Sequence, residues 1–244
     1  MPIILNLETA TTNCSVSVAR NGHLLAIKEH DTPNYSHSEQ LHIFIQDVLK
    51  GATLDFTDLD AVAVSKGPGS YTGLRIGVSA AKGLCFSLDV PLISIPTLES
   101  MAQQVALSEA DEIKPDDSNE SMQREAGYRA ADYIVPVLDA RRMEVYSAVF
   151  DNGRNQIRET KAEIIDENSF SEYTENGKVL LLGNGAEKCR ELLKHPNFSF
   201  DTSIVPSTRE MAYLSHKKFA ADQFEDVAYF EPYYLKDFIL QKKK

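Results

Sequence analysis

With 244 residues, 43% hydrophobic and 25% charged, the chain is long enough to bury one large core or two small ones, and it has the composition of a globular protein. Its formal charge of −11 makes it by itself a poor surface for nucleic acid, which calls for clustered Lys and Arg. No run approaches the roughly 18–20 apolar residues of a membrane span, and the start "MPIILNLETATT" lacks the features of a secretory signal, so the expected location is cytoplasmic.

The first segment, "IILNLETATTNCSVSVARNGHLL", reads as a buried strand, a polar turn, an alternating strand and an Asn-Gly hairpin. In "NYSHSEQLHIFIQDVLKG", Ser36 and Glu39 form a capping box. Leu41, Phe44, Ile45, Val48 and Leu49 then make one apolar helical face, and Gly51 stops the helix. The strand-like "LDAVAVSK" leads into "GPGSYTGLRIG", which is neither a Walker A loop, because Leu74 and Arg75 follow Gly73, nor a dinucleotide fingerprint. Gly69, Gly73, Gly77 and Ala81 instead recur every four residues, a stripe of minimal side chains on one helix face. Two glycines inside a helix cost roughly 1 kcal/mol each, which close approach of another element offsets. That element is either the Ser36–Leu49 helix of the same chain or a second subunit. Arg75 projects beside the stripe as an anchor for a partner's carboxylates or carbonyls.

Residues 108–132 are charged and nearly free of large apolar groups, the composition of an insertion or linker. Beyond them, "IVPVLDARRMEVYSAVFDNGRNQ" repeats the order of the first segment. Asp139 follows Glu8, and Gly153 follows Gly22, by 131 positions each. "VLLLGNGAE" then repeats "AVAVSKGPG", aligning Gly183 with Gly67 and Gly185 with Gly69 at an offset of 116. Two such units predict a duplicated α/β chain of the two-lobed actin/Hsp70-like (RNase H-like) kind, with a mixed sheet and flanking helices in each lobe. The expected division is an N-terminal lobe at 1–107, the linker at 108–132 and a C-terminal lobe at 133–207. The aromatic "FEPYYLKDF" and the rest of 208–244 pack back on the first lobe, and Pro232 keeps this segment out of a central strand. The terminal "QKKK" reads as a solvated tail.

Chemistry is sparse. Cys14, Cys85 and Cys189 are too far apart for a zinc site or disulfide framework and read as buried thiols. His37 and His42 lie about 140° apart round a helix, not on one face as zinc-binding pairs do. No Gly-x-Ser-x-Gly elbow occurs. Glu8 and Asp139, at the ends of equivalent strands, stand where ATPases of this architecture place acids. With Thr9 and Gly67 they mark an inter-lobe nucleotide site, and with the Gly67–Gly69 and Gly183–Gly185 loops they give an alternative reading as a sugar- or acetate-kinase-like phosphotransferase. Arg141 and Arg142 read as a surface ion pair with Asp139, without a chemical role.

"LNLETATTNCSVSV", "SHSEQL", "SKGPGSYTGLRIGVSAAKGL", "IPTLESM" and "LDARRMEVYSAVF" together resemble the TsaB (YeaZ) family of bacterial proteins needed for threonylcarbamoyl modification of adenosine 37 in tRNA. The resemblance implies a non-catalytic dimerisation subunit, pairing with itself or with the metal-bearing paralogue TsaD and helping to recruit the ATPase TsaE, with tRNA met through the complex. It implies no intrinsic cofactor and leaves room for a nucleotide in the complex. The paralogue's two metal-binding histidines are replaced here by Thr97 and Met101 with Glu99 between, so an older glycoprotease label finds no support. The packing helices of the family place the partner interface at His37, Glu39, Gly69, Gly73, Arg75, Gly77 and Ala81. On that reading Gly73→Leu or Gly77→Leu removes partner binding and leaves the monomer folded.

Overall fold

In the computed structural model, residues 1–32, 37–110, 128 and 130–235 are described. Three strands open the chain as an antiparallel meander: β1 (Ile3–Glu8), β2 (Asn13–Arg20) and β3 (His23–Asp31). Helix α1 (His37–Gly51) follows, then β4 (Ala61–Gly67), α2 (Tyr71–Leu88) and β5 (Leu92–Pro96). β4 and β5 join the sheet in parallel with β1, giving the order β3-β2-β1-β4-β5. Parallel strands reached by helical crossovers are covered on both faces. Here Leu5, Leu7, Val16, Val18, Val62 and Val64 point into a core shared with α1 and α2. Their alternates Ile4, Ala61, Ala63, Ile93 and Ile95 point into a second core. The apolar face expected on α1 is buried as a set, and the helix ends at Gly51. Ser36, the expected cap, lies outside the described residues.

The second half repeats this plan. Helix α3 (Thr97–Ala110) leads to β6 (Tyr133–Asp139), β7 (Glu144–Asp151), β8 (Gln156–Ile164), a short α4 (Ser171–Thr174), β9 (Val179–Leu182), α5 (Ala186–Leu192) and β10 (Phe198–Asp201). The sheet order is β10-β9-β6-β7-β8, the first order with each strand replaced by its counterpart. The chain is therefore a duplicated, two-lobed fold of the actin/Hsp70-like kind. Gly67 and Gly183, aligned by sequence, share a left-handed backbone at φ 106° and 111°. One detail shifts: Gly22 takes positive φ at the first hairpin, whereas Arg154 rather than Gly153 does so at the second. The drop in offset has a physical counterpart, since the 15-residue α1 is matched in the second copy by the 4-residue α4.

The two compact units are Met1–Thr97 with Ser207–Lys244, and Leu98–Pro206. The first lobe thus ends at Thr97 and not at residue 107, because Leu98, Met101, Ala102 and Val105 of α3 pack in the second unit with Ile134, Phe150 and Leu182. The final helix α6 (Thr208–Ala220) places Met211 and Leu214 on the first sheet beside Ile4 and Ile93. After it, residues 226–235 run over α2 as an irregular strap. Lys82 donates to the carbonyls of Ala228 and Phe230, both at 3.0 Å, and Tyr233 N donates to Lys66 O at 2.7 Å. Most of the expected linker, 111–127, and the "QKKK" tail lie outside the described residues. Among the described residues no helix is long and apolar enough to cross a membrane.

Candidate functional site

The glycine stripe of α2 faces inward. Ser70 caps the helix, its Oγ accepting from Gly73 N at 3.3 Å, and the stripe then runs against the β1–β2 turn. A Cβ on Gly69 would sit 2.4 Å from Ala10 O, one on Gly73 2.1 Å from Thr9 O, and one on Gly77 2.3 Å from Thr9 Oγ1. The two elements are also hydrogen-bonded: Thr9 Oγ1 donates to Gly73 O at 2.8 Å and Ser70 N to Ala10 O at 2.7 Å. Gly73, Gly77 and Ala81 are buried within the chain. The assignment of Gly69, Gly73, Gly77 and Ala81 to a partner interface is therefore corrected. The element that approaches Gly69, Gly73 and Gly77 is the β1–β2 turn, through the backbone of Thr9 and Ala10 and the Thr9 side chain, with His37 of α1 3.4 Å from the Cβ position of Gly73, and Ala81 packs in the core.

His37 is corrected for the same reason. It is 2% exposed, and its Nε2 donates to Thr11 O at 2.7 Å. Burial lowers its pKa, against the hydrogen bond to Thr11 that raises it. It props the turn that the glycines receive. Glu39, two residues on, is exposed.

A different face of the same helices is open. One position behind Gly77 and Ala81 on α2 runs a parallel series, Ile76, Ala80 and Leu84, spaced by four residues and partly exposed. With Ser38 and His42 of α1 they line a groove of about 840 Å³. Gly83 lies in it, and a Cβ placed there would have nothing within 4 Å. Arg75 stands at its rim, held by Tyr71: Nη1 donates to Tyr71 Oη at 2.9 Å, and the guanidinium lies 5.3 Å from the ring centroid. Tyr71 stacks in turn on Tyr234 of the strap, ring centroids 4.8 Å apart. Arg75, alone among the residues expected on α2, is on the accessible side. Its companions are legible in the sequence as a second helical stripe, which the more conspicuous row of glycines obscures.

The residues marked for nucleotide do not present themselves to phosphate. Glu8 is 0% exposed and accepts from Ala10 N at 2.6 Å. Thr9 donates its hydroxyl to Gly73 O. The open side of Gly67 is filled, with Tyr233 O 2.9 Å and Leu74 Cδ1 3.0 Å from a Cβ placed there. In the other lobe, Gly183 and Gly185 lie against the backbone of Val137 and Leu138. Asp139 Oδ1 accepts from Lys188 Nζ at 2.6 Å and from Arg141 N at 2.7 Å. Both glycine loops bring backbones together, so neither is an open cradle for phosphate. The positions aligned with the paralogue's histidines are equally occupied: Thr97 hydrogen-bonds Ser65 at 2.8 Å, and Met101 is fully buried. The three cysteines are buried, with thiol pKa values pushed up to about 11, 11 and 12 by desolvation.

Two buried acids make stability depend on pH. Desolvation raises Glu8 to about 7, against hydrogen bonds from Ala10, Ser65 and Thr9 that lower it, and raises Glu210, on α6, to about 8. Both carboxyls hold their protons in the folded chain above the ordinary value of 4.5. Unfolding therefore releases protons between 4.5 and the folded values, and their contribution to stability falls as pH rises through that window. Urea denaturation at about pH 5.5 and about pH 8.5 is expected to show the lower stability at the higher pH. Glu8→Gln with Glu210→Gln should remove roughly 3 kcal/mol or more of that difference; an unchanged pH dependence in the double variant would contradict the assignment.

A family model described as tRNA N6-adenosine threonylcarbamoyltransferase matches residues 33–115. The chain is 28% identical over 246 residues to the tRNA threonylcarbamoyladenosine biosynthesis protein TsaB of Escherichia coli K12, covering 98% of this chain and 97% of that protein. It is 34% identical over 108 residues to the tRNA N6-adenosine threonylcarbamoyltransferase of Bacillus thuringiensis Al Hakam, covering 38% of this chain and 32% of the enzyme. A crystal structure from Pseudomonas aeruginosa, described as similar to the peptidase YeaZ, superposes with a TM-score of 0.79 at 22% identity, covering 97% of this chain and all of that one.

Proposed function

We propose that this chain, a member of the TsaB/YeaZ family with a role in tRNA threonylcarbamoyladenosine biosynthesis, is the non-catalytic subunit that binds and activates the TsaD-like transferase. The observation that carries this reading is the α1–α2 groove, where Ile76, Ala80 and Leu84 are partly exposed on a helix whose other face is closed by the chain itself. Partly apolar, concave and rimmed by Arg75, it suits a pair of helices from a protein of the same architecture. The family-model match over 33–115 takes in both helices, which fits a paralogue presenting a related pair. The same face pairs two copies of this chain when the paralogue is absent, and the assembled pair recruits the TsaE-like ATPase. The subunit acts by holding its partner and needs no metal or nucleotide of its own. The phosphotransferase alternative is not favoured, since its two glycine loops and Asp139 are engaged within their own lobes.

Threonylcarbamoyl transfer to tRNA, reconstituted from the paralogue and ATPase with and without this chain, tests the proposal. Turnover that depends on the chain, with none by the chain alone, is the expected result. Equal turnover without it would overturn the reading.

A further inference from the structure

We infer that the β6–β7 turn docks the phosphodiester backbone of tRNA, with Arg141 and Arg142 as the phosphate-binding side chains; this rests on the tRNA-modification reading above. Arg141 and Arg142 adopt φ 73° and 52°, the left-handed region that is unfavourable for a residue with a Cβ. Hairpins usually meet that demand with Asn or Gly, and this chain does so at Asn21–Gly22, φ 52° and 80°. At 141–142 it uses two arginines instead.

The strained backbone is held by a latch. Lys188 of α5 directs three donors at the turn, reaching Asp139 Oδ1 at 2.6 Å, Arg142 O at 2.9 Å and Glu144 O at 2.5 Å. Asp139 Oδ1 also accepts from Arg141 N at 2.7 Å, and Asn184 Oδ1 accepts from Asp139 N at 2.9 Å. Asp139 thereby neutralises Lys188. Both arginines are exposed, and neither guanidinium has a hydrogen bond or ion pair among the described residues. The surface ion pair expected between them and Asp139 is replaced by the Lys188 bond.

The result is a rigid mount carrying two unpaired guanidinium forks, the group best matched to phosphate oxygens. Fixing the mount in advance lowers the ordering cost of binding. In a chain of net charge −11, most of the surface repels a polyanion, so two prepositioned arginines decide where one can approach.

The test uses the complex of this chain with its paralogue. Arg141→Asn with Arg142→Gly supplies residues that the turn's backbone prefers, so the melting temperature is expected to stay equal or rise. Affinity for the paralogue should be unchanged and affinity for tRNA roughly tenfold weaker. The slope of log affinity against log salt should fall by about 0.7–0.9 for each phosphate no longer neutralised. Arg141→Lys with Arg142→Lys should keep most of the slope. Unchanged tRNA affinity and salt slope in the Asn/Gly variant would overturn the inference. Weakened binding of the paralogue would also overturn it, by making the turn part of a protein interface. Failure of the functional reading itself shows separately, as tRNA modification that is indifferent to omission of the wild-type chain.

Discussion

Gly73→Ala is expected to destabilise the folded chain by about 2 kcal/mol or more, although alanine is the better helix former by about 1 kcal/mol. The added carbon would lie 2.1 Å from Thr9 O, and a backbone carbonyl pinned at the end of a central strand has little room to move. Relief requires α2 to shift off the sheet, breaking the bonds from Thr9 Oγ1 to Gly73 O and from Ser70 N to Ala10 O. Gly83→Ala, in the same helix, should have the opposite sign and stabilise by about 0.5–1 kcal/mol, because nothing lies within 4 Å of its Cβ position. Urea denaturation of both variants measures the contrast. Equal effects would show that the stripe is not clamped on residues 9 and 10. For the same reason Gly73→Leu and Gly77→Leu are expected to prevent folding, so they cannot serve as tests of docking.

Gly83→Glu is expected to leave the monomer folded and to weaken binding of the TsaD-like paralogue by at least about 100-fold. The side chain enters open space in the free chain. In the complex it would fill the groove that Ile76, Ala80 and Leu84 line, stranding a carboxylate against apolar surface. Leaving a buried charge unpaired costs about 3–5 kcal/mol, and each 1.4 kcal/mol is about tenfold in affinity. Calorimetric titration beside circular dichroism separates the two effects. Threonylcarbamoyl transfer at limiting concentrations should fall in parallel. Full affinity in a folded Gly83→Glu chain would remove the groove from the partner interface.

Much of the architecture was legible because it is carried by local pattern. The alternation around Leu5 and Leu7, the apolar face from Leu41 to Leu49 and the Asn21–Gly22 turn each follow from periodicity or backbone preference. Repetition of their order exposed the duplication, and Gly67 and Gly183 proved equivalent down to the sign of φ. Spacing also showed correctly that something must approach Gly69, Gly73 and Gly77. It was silent on what approaches, since a four-residue period names a face of the helix and not the element opposite.

Residue order is enough to define the two-copy α/β plan, the amphipathic α1 and the need for bare positions along α2, because each depends on neighbours within a few turns or strands. Which side of α2 is closed and which is open follows instead from long-range packing. Thr9, 64 residues upstream, is bonded to Gly73, and the glycine stripe is thereby turned inward while Ile76, Ala80 and Gly83 stay on the open side of the helix. Packing likewise brings Asp139 to Lys188, 49 residues downstream. Such pairs form where core burial draws distant strands and helices together, and no local preference encodes the side chain that will be found there.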